Sequence, residues 1–355
     1  MHHGIREDIE KILNAAIWAP SGDNSQPWRF RVTGNQIYIF NRPDLDIPFF
    51  NYRQRGSFVA HGGLIENLLI ASSALGYAAV LTLFPEGDES DLVATVELEA
   101  AAPKPEPLYP FITKRATNRR PYLPRILTDA QKQEILKTAE EVGMGEVRLV
   151  EDDARKQALG GAFSANERVV LETPELRRIF FYHAVWTEIE ERRRRTGLYV
   201  KTLELSPPQQ IVFRLYRYPF FAKIFNAIGL SKFIARDNAK LYARASALGA
   251  VIVPGISGKD FIFAGRLMQR IWLKATSMGL SVHPVTGVLF LMQRVLANAA
   301  DGLAPYHITL LRSAYQEMQS IWGVKNETIG MAFRIGYGGE PSARSSRLPP
   351  QIEVQ

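Results

Sequence analysis

The chain is 355 residues long, 46% hydrophobic and 22% charged, which gives room for two domains and a substantial core. No cysteine is present, so disulfides, thiolate chemistry, iron–sulfur clusters and zinc–thiolate sites are excluded. A net charge of +7 fits nucleic acid, a membrane or an anionic ligand, yet no nucleic-acid motif accompanies it, and His61, His183, His283 and His307 lack metal-ligand spacing.

Ile5, Ile9, Leu13, Ala16 and Ile17 recur at helical spacing and predict an amphipathic helix over 6–18. The loop "APSGDNSQPWRF" (19–30) follows, and "WRFRVTGNQIYIF" alternates around Thr33-Gly34-Asn35 as a hairpin would. Residues 61–77 read as a buried helix ended by Gly76, and 92–100 as a strand. The proline-rich stretch 101–110 has neither period and sets a boundary between a short first unit, 1–110, and a second unit, 111–355. The second unit predicts a helix N-capped by Thr128, the strand "EVRLVED", a mostly helical insertion over about 161–245, the buried strand "LGAVIVP", the helix "FAGRLMQRIWLKATSMGL", a turn at "VHPVTG" and the strand "GMAFRIGYGG" before a basic tail. With no signal-peptide core and no run of about 18 apolar residues, a cytoplasmic protein without a transmembrane segment is expected.

An internal repeat is legible. Gly62, Asn67 and Gly76 have the spacing G-x4-N-x8-G, and Gly265, Arg270 and Gly279 repeat it with Arg in the middle position. "IEKILNAA" (9–16) and "KQEILKTA" (132–139) match in the same order. Two copies of one unit are expected, the second enlarged by the insertion.

Two stretches carry chemistry. In "KRATNRRPY" (114–122), Arg115, Thr117 and Arg119 stand at every second position, so an extended segment would aim two guanidiniums and a hydroxyl one way, as a phosphate requires; a solvated basic linker is the alternative. In the 19–30 loop, Ser21, Asn24 and Gln26 are suited to the polar edge of a flat heterocycle, against the plainer reading of a turn.

These residues resemble the FMN-dependent nitroreductase family. "APSGDNSQPWRF" is similar to its P-S-x-x-N-x-Q-P-W loop, and "RATNR" to its R-x-S-x-R phosphate signature with Thr117 for Ser. "ARSSRLP" resembles its basic C-terminal segment, and "HPVTG" a proline–glycine turn near the flavin. The resemblance implies an α+β fold, a sheet flanked by helices in each of two nitroreductase-like units, with a helical insertion in the second. It implies bound FMN touched by Pro20, Ser21, Gly22, Asn24, Gln26, Arg115, Thr117, Arg119, Pro284, Thr286, Gly287, Arg344 and Arg347, with no metal. NADH or NADPH would be a transient donor, and hydride would pass through flavin N5 to a small aromatic or other acceptor. Catalysis then resides in the flavin, and no catalytic side chain is assigned. The family's phosphate signature precedes its loop within one subunit, whereas here the loop lies in the first copy and "RATNR" in the second. The likeness is therefore to a fused dimer that keeps one complete site: a monomer with an internal pseudo-dimer. The alternatives are a flavin-sequestering protein and a flavin oxidase acting on a specialised substrate such as a modified peptide.

The stretch 209–244 carries seven Lys/Arg and one Asp interleaved with Phe, Tyr, Ile and Leu. Three readings stay open: a lid over the flavin, an interfacial helix on an anionic membrane, and an amphipathic hairpin packed on its own domain.

Overall fold

A computed structural model describes residues 2–354. Helix α1 (His2–Ala16) buries Ile9, Ile12, Leu13 and Ala16. The hairpin β1 (Trp28–Thr33) and β2 (Gln36–Asn41) turns at Gly34, whose φ of +61° suits a glycine. Helix α2 (Arg55–Ala74) begins before the expected 61 and ends at Gly76. It is followed by β3 (Tyr77–Leu83) and β4 (Leu92–Ala100). β3 escapes sequence reading because it is a half-exposed edge strand of small and aliphatic residues that continues directly from a helix.

In the second half, Thr128 and Gln131 form a reciprocal capping box on α3 (Asp129–Leu136), which breaks at Lys137 before α4 (Thr138–Val142). β5 (Glu146–Val150) follows, then α5 (Asp153–Phe163), α6 (Ala165–Glu172) and α7 (Pro174–His183). The small ladder β6 (Ala184–Val185) and β7 (Leu198–Tyr199) brackets α8 (Glu188–Arg194). Then come α9 (Pro207–Tyr216), α10 (Pro219–Ala227) and α11 (Leu230–Ala243), so the insertion is helical except for that ladder. β8 (Ala247–Val253), α12 (Gly258–Ser277), β9 (Ser281–Pro284), α13 (Gly287–Leu296), α14 (Pro305–Trp322), β10 (Thr328–Gly336) and β11 (Ile352–Val354) complete the chain. The expected turn at "VHPVTG" is half strand: β9 pairs with β10, His283 opposite Arg334, and the chain turns only after Pro284.

The two main sheets share one topology. The first runs β1-β2-β4-β3 and the second β5-β8-β10-β9, with every neighbour in these two series antiparallel. Each has two strands, a long helix, then two strands. The long helices α2 and α12 cross face to face at the repeat glycines. A Cβ on Gly62 would lie 2.0 Å from the Ile262 carbonyl oxygen, and one on Gly265 would lie 2.0 Å from that of Val59. Around the crossing, Gln269 donates to Asn67 (2.7 Å), while buried Glu66 accepts from Arg266 and Arg270 at 2.9 and 3.0 Å. One apolar core joins α1, α2, α12 and residues of both sheets. β11 crosses back to pair in parallel with β1, Phe30 opposite Ile352. The edge of the first sheet is thus supplied by the far end of the chain, and residues 1–110 do not complete it alone.

Candidate functional site

An open cleft lies where the loop of the first half, the 115–119 segment and the C-terminal tail meet. Its wall includes Pro20, Ser21, Asn24, Arg115, Thr117, Arg119, Arg344 and Arg347. Gly22, Gln26, Pro284, Thr286 and Gly287 are not in that wall. Gly22 packs toward Asp46. Pro284 pairs opposite Phe333 in the sheet, Thr286 caps α13, and Gly287 abuts Asn166, which a Cβ would meet at 2.3 Å.

The loop is held by its own polar groups. Asp23, Asn24 and Gln26 have φ of 44°, 57° and 53°, a left-handed cluster that Asp and Asn tolerate better than most residues. Gln26 is buried and fully committed: its amide nitrogen donates to the Arg195 carbonyl (2.7 Å), and its amide oxygen accepts from Leu348 N–H (2.9 Å). Asn24 donates to the carbonyls of Arg195 (3.0 Å) and Ser346 (3.2 Å), and Ser21 Oγ accepts from Gln26 N–H. Two of the three side chains expected at a heterocycle edge therefore clamp the end of α8 and the tail. Asn24 Oδ1 stays buried without a hydrogen-bond partner among the described residues.

Arg115 and Arg119 have different surroundings. Arg115 sits at the end of a turn, its N–H donating to Phe111 O, so the alternation of an extended segment does not run through it. Its buried guanidinium donates to Trp18 O (2.7 Å) and lies 4.4 Å over the Trp272 ring. Residues after it run beside β9, Thr117 bridging to Val282 and Asn118 N–H bonding Val282 O. Arg119 then points to Thr202, donating to its carbonyl at 3.2 Å, and feels Asp23. Thr117 remains a wall residue between them in sequence.

The tail completes a cationic group. Arg347 donates to the carbonyls of Ser345, Ser346 and Ala19 and lies over the Trp18 ring. Arg344 reaches Thr113 O and Glu340. Burial, then the facing Arg347 and Arg344, push the Arg115 guanidinium well below its ordinary range. Burial likewise lowers Arg347 to about 10, with Glu191 opposing. Nε of both Arg115 and Arg347 is buried without a partner among the described residues. Buried cations with unspent donors are unfavourable unless an anion joins them.

Several wall residues escaped sequence reading. Asp23 lies inside the quoted loop; burial raises its carboxyl, with His183 and Arg119 opposing. Gly197, Leu198 and Thr202 come from the insertion, just after α8, with no local signal of their role. None of 209–244 lines the cleft. Of the three readings open for that stretch, the lid finds no support in this cleft: the apolar faces of α9 and α10 pack with Leu171 and Phe181 of α6 and α7. Glu191 accepts from Ser346 N–H and Oγ–H at 2.5 and 3.0 Å, fastening the tail to α8.

The nitroreductase family model matches residues 6–39, the stretch from α1 through the loop and into β2. An uncharacterized protein of Mycobacterium tuberculosis is 25% identical over 346 residues, 95% of this chain and 47% of its own length. A second protein of that organism, named "Putative NAD(P)H nitroreductase", is 29% identical over 123 residues, 34% of this chain and 36% of its length. The matches span under half the length of these curated relatives. A Bacteroides fragilis nitroreductase with bound FMN superposes with a TM-score of 0.36 at 10% identity, covering 68% of this chain and 93% of its own.

Proposed function

We propose that this chain, with its nitroreductase-type segment at 6–39, is an FMN-dependent oxidoreductase built from two copies of one unit sharing a single cofactor cleft. The observation that carries the reading is the set of unspent groups in one wall: Nε of Arg115 and Arg347 and Oδ1 of Asn24, all buried and unpartnered among the described residues. The guanidiniums suit a phosphate dianion, which would relieve their mutual repulsion. The Asn24 oxygen suits the ring N–H of a flat heterocycle. These groups come from three remote stretches, so the cleft exists only when both halves and the tail are assembled.

Arg115, Arg344 and Arg347 would hold the phosphate, and Asn24 with Ser21 the ring edge. Gln26, Glu191 and Trp18 would keep the tail and loop in register, and Leu198 and Thr202 would exclude water from one side. FMN, when bound, would supply the redox chemistry, taking an electron pair from NADH or NADPH for delivery to a small electron acceptor. The partner in this reading is that small molecule; the pseudo-dimer within the chain would make a second subunit unnecessary for the site.

Two measurements test this. Flavin released from the purified protein should amount to one FMN per chain; two per chain, or none after incubation with excess FMN, overturns the single-cleft reading. Anaerobic mixing of the flavin-loaded protein with NADH or NADPH should bleach the flavin absorbance; a persistent yellow colour with both donors would replace the reductase reading with flavin sequestration.

A further inference from the structure

The insertion leaves a surface the cleft does not use. Helix α10 buries Ala222 and packs Phe225 inward against Tyr216. Its opposite face is also apolar: Phe220, Ile224 and Ile228, spaced i, i+4 and i+8, line one side of the helix and its end. Phe220 is 70% exposed, Ile228 72%, and Phe233 in the first turn of α11 65%. A helix apolar on both faces is ordinarily covered on both, and the outer face here has no cover among the described residues.

Cations frame the patch. Arg217 and Lys223 on either side of Phe220 are exposed, as is Lys232 beside Phe233. Along α11, Phe233, Arg236 and Lys240 follow one another at i, i+3 and i+7, so the apolar patch leads along one helix face into a wide groove. That groove is lined by Arg236, Lys240, Arg244, Arg125 and Lys156, with Asp153 the carboxylate in its wall. Tyr218 adds an amphipathic ring at the rim, its hydroxyl accepting from Arg217 at 2.6 Å.

We infer that α10 and the first turns of α11 dock on the surface of an anionic lipid bilayer. Exposed Phe and Ile would enter the headgroup–acyl boundary, and the flanking Lys and Arg would meet lipid phosphates, the division of labour of interfacial helices. A protein partner of this chemistry would need an acidic rim around an apolar pocket, whereas a bilayer offers both features over any area and matches a patch spread over two helices. The surface is separate from the cleft, since α10 contributes nothing to the cleft wall.

The test is co-sedimentation of the full chain with vesicles of phosphatidylcholine plus phosphatidylglycerol, compared with phosphatidylcholine alone. The intact protein should pellet with the anionic vesicles and be released as salt screens the cations. Phe220→Ser with Ile224→Ser should weaken binding by about tenfold or more, while Phe220→Leu retains it. Arg236→Gln with Lys240→Gln should weaken binding to anionic vesicles without creating binding to neutral ones. No pelleting by the intact protein overturns the inference. So does equal binding to neutral vesicles, and so does displacement by inorganic phosphate at unchanged ionic strength, which would mark a free-phosphate groove. Concentration-dependent dimerisation in light scattering, abolished by Phe220→Ser in protein that does not pellet, would assign the face to a second copy. Circular dichroism melts of each variant identify loss of fold, and the Phe220→Leu arm keeps the comparison decisive.

Discussion

Replacing Arg115 by Gln isolates the phosphate role assigned to it. In the structure the Arg115 side chain makes one hydrogen bond among the described residues, to Trp18 O, and stacks over Trp272, while Arg347 and Arg344 repel it. Gln retains a donor for Trp18 O and removes both the charge and the unspent Nε. Gln can keep the bond to Trp18 O, loss of the buried stacking costs roughly 2 kcal/mol, and relief of the cationic crowding and of the buried charge offsets much of that. The flavin-free protein should therefore melt close to the parent. Binding of FMN should lose a charge-assisted hydrogen bond of roughly 1.5–3 kcal/mol, which is about 10- to 150-fold in Kd. Riboflavin, which has the ring but no phosphate, should lose less than about threefold. The assay is fluorescence titration of flavin-free protein with each ligand at low ionic strength, where screening is weakest. Equal losses for FMN and riboflavin would refute the phosphate assignment and place Arg115 at the ring.

At the helix crossing, Gly62→Ala should destabilise by about 3 kcal/mol or more, because its Cβ would meet the backbone oxygen of Ile262 rather than a side chain able to move; urea denaturation would read the loss, and a neutral result would show that α2 and α12 can separate cheaply. Glu66→Gln leaves Arg266 without its carboxylate while Arg270 keeps Glu141 at 3.0 Å, and should cost up to about 3 kcal/mol in the same assay. Asp46 is raised from 3.8 to about 6, first by burial and further by Asp23, with Ile47 N–H and Ser57 opposing. Its folded form holds a proton that the unfolded chain has released, so stability falls as pH rises from 3.8 to about 6 and is then flat, by up to about 3 kcal/mol. Asp46→Asn should remove that slope, stabilising the protein at pH 7 and leaving it unchanged near pH 4; equal effects at both pH values would contradict the protonation.

The sequence alone determined the elements whose signal is local. The helix over 6–18, the 28–41 hairpin, the 92–100 strand and the Thr128 cap depend on side-chain period and short-range hydrogen bonds, and they stand within a residue or a few of their expected places. The glycine repeat was legible as well, since only glycine lets two backbones approach as α2 and α12 do. Half of the wall residues of the cleft were readable too, because phosphate and heterocycle recognition call for distinctive residue types. Tertiary structure decided which of those residues face the cleft and which brace it. Gln26 has the right chemistry for a ring edge, but its groups are spent on Arg195 and Leu348, partners 169 and 322 residues away. Gly197 and Thr202 carry no local mark, and β11 joins β1 across nearly the whole chain. Periodicity reports which face of an element is apolar; it carries no information about which distant backbone will arrive to satisfy a polar side chain, and that arrival fixes whether the side chain serves the ligand or the fold.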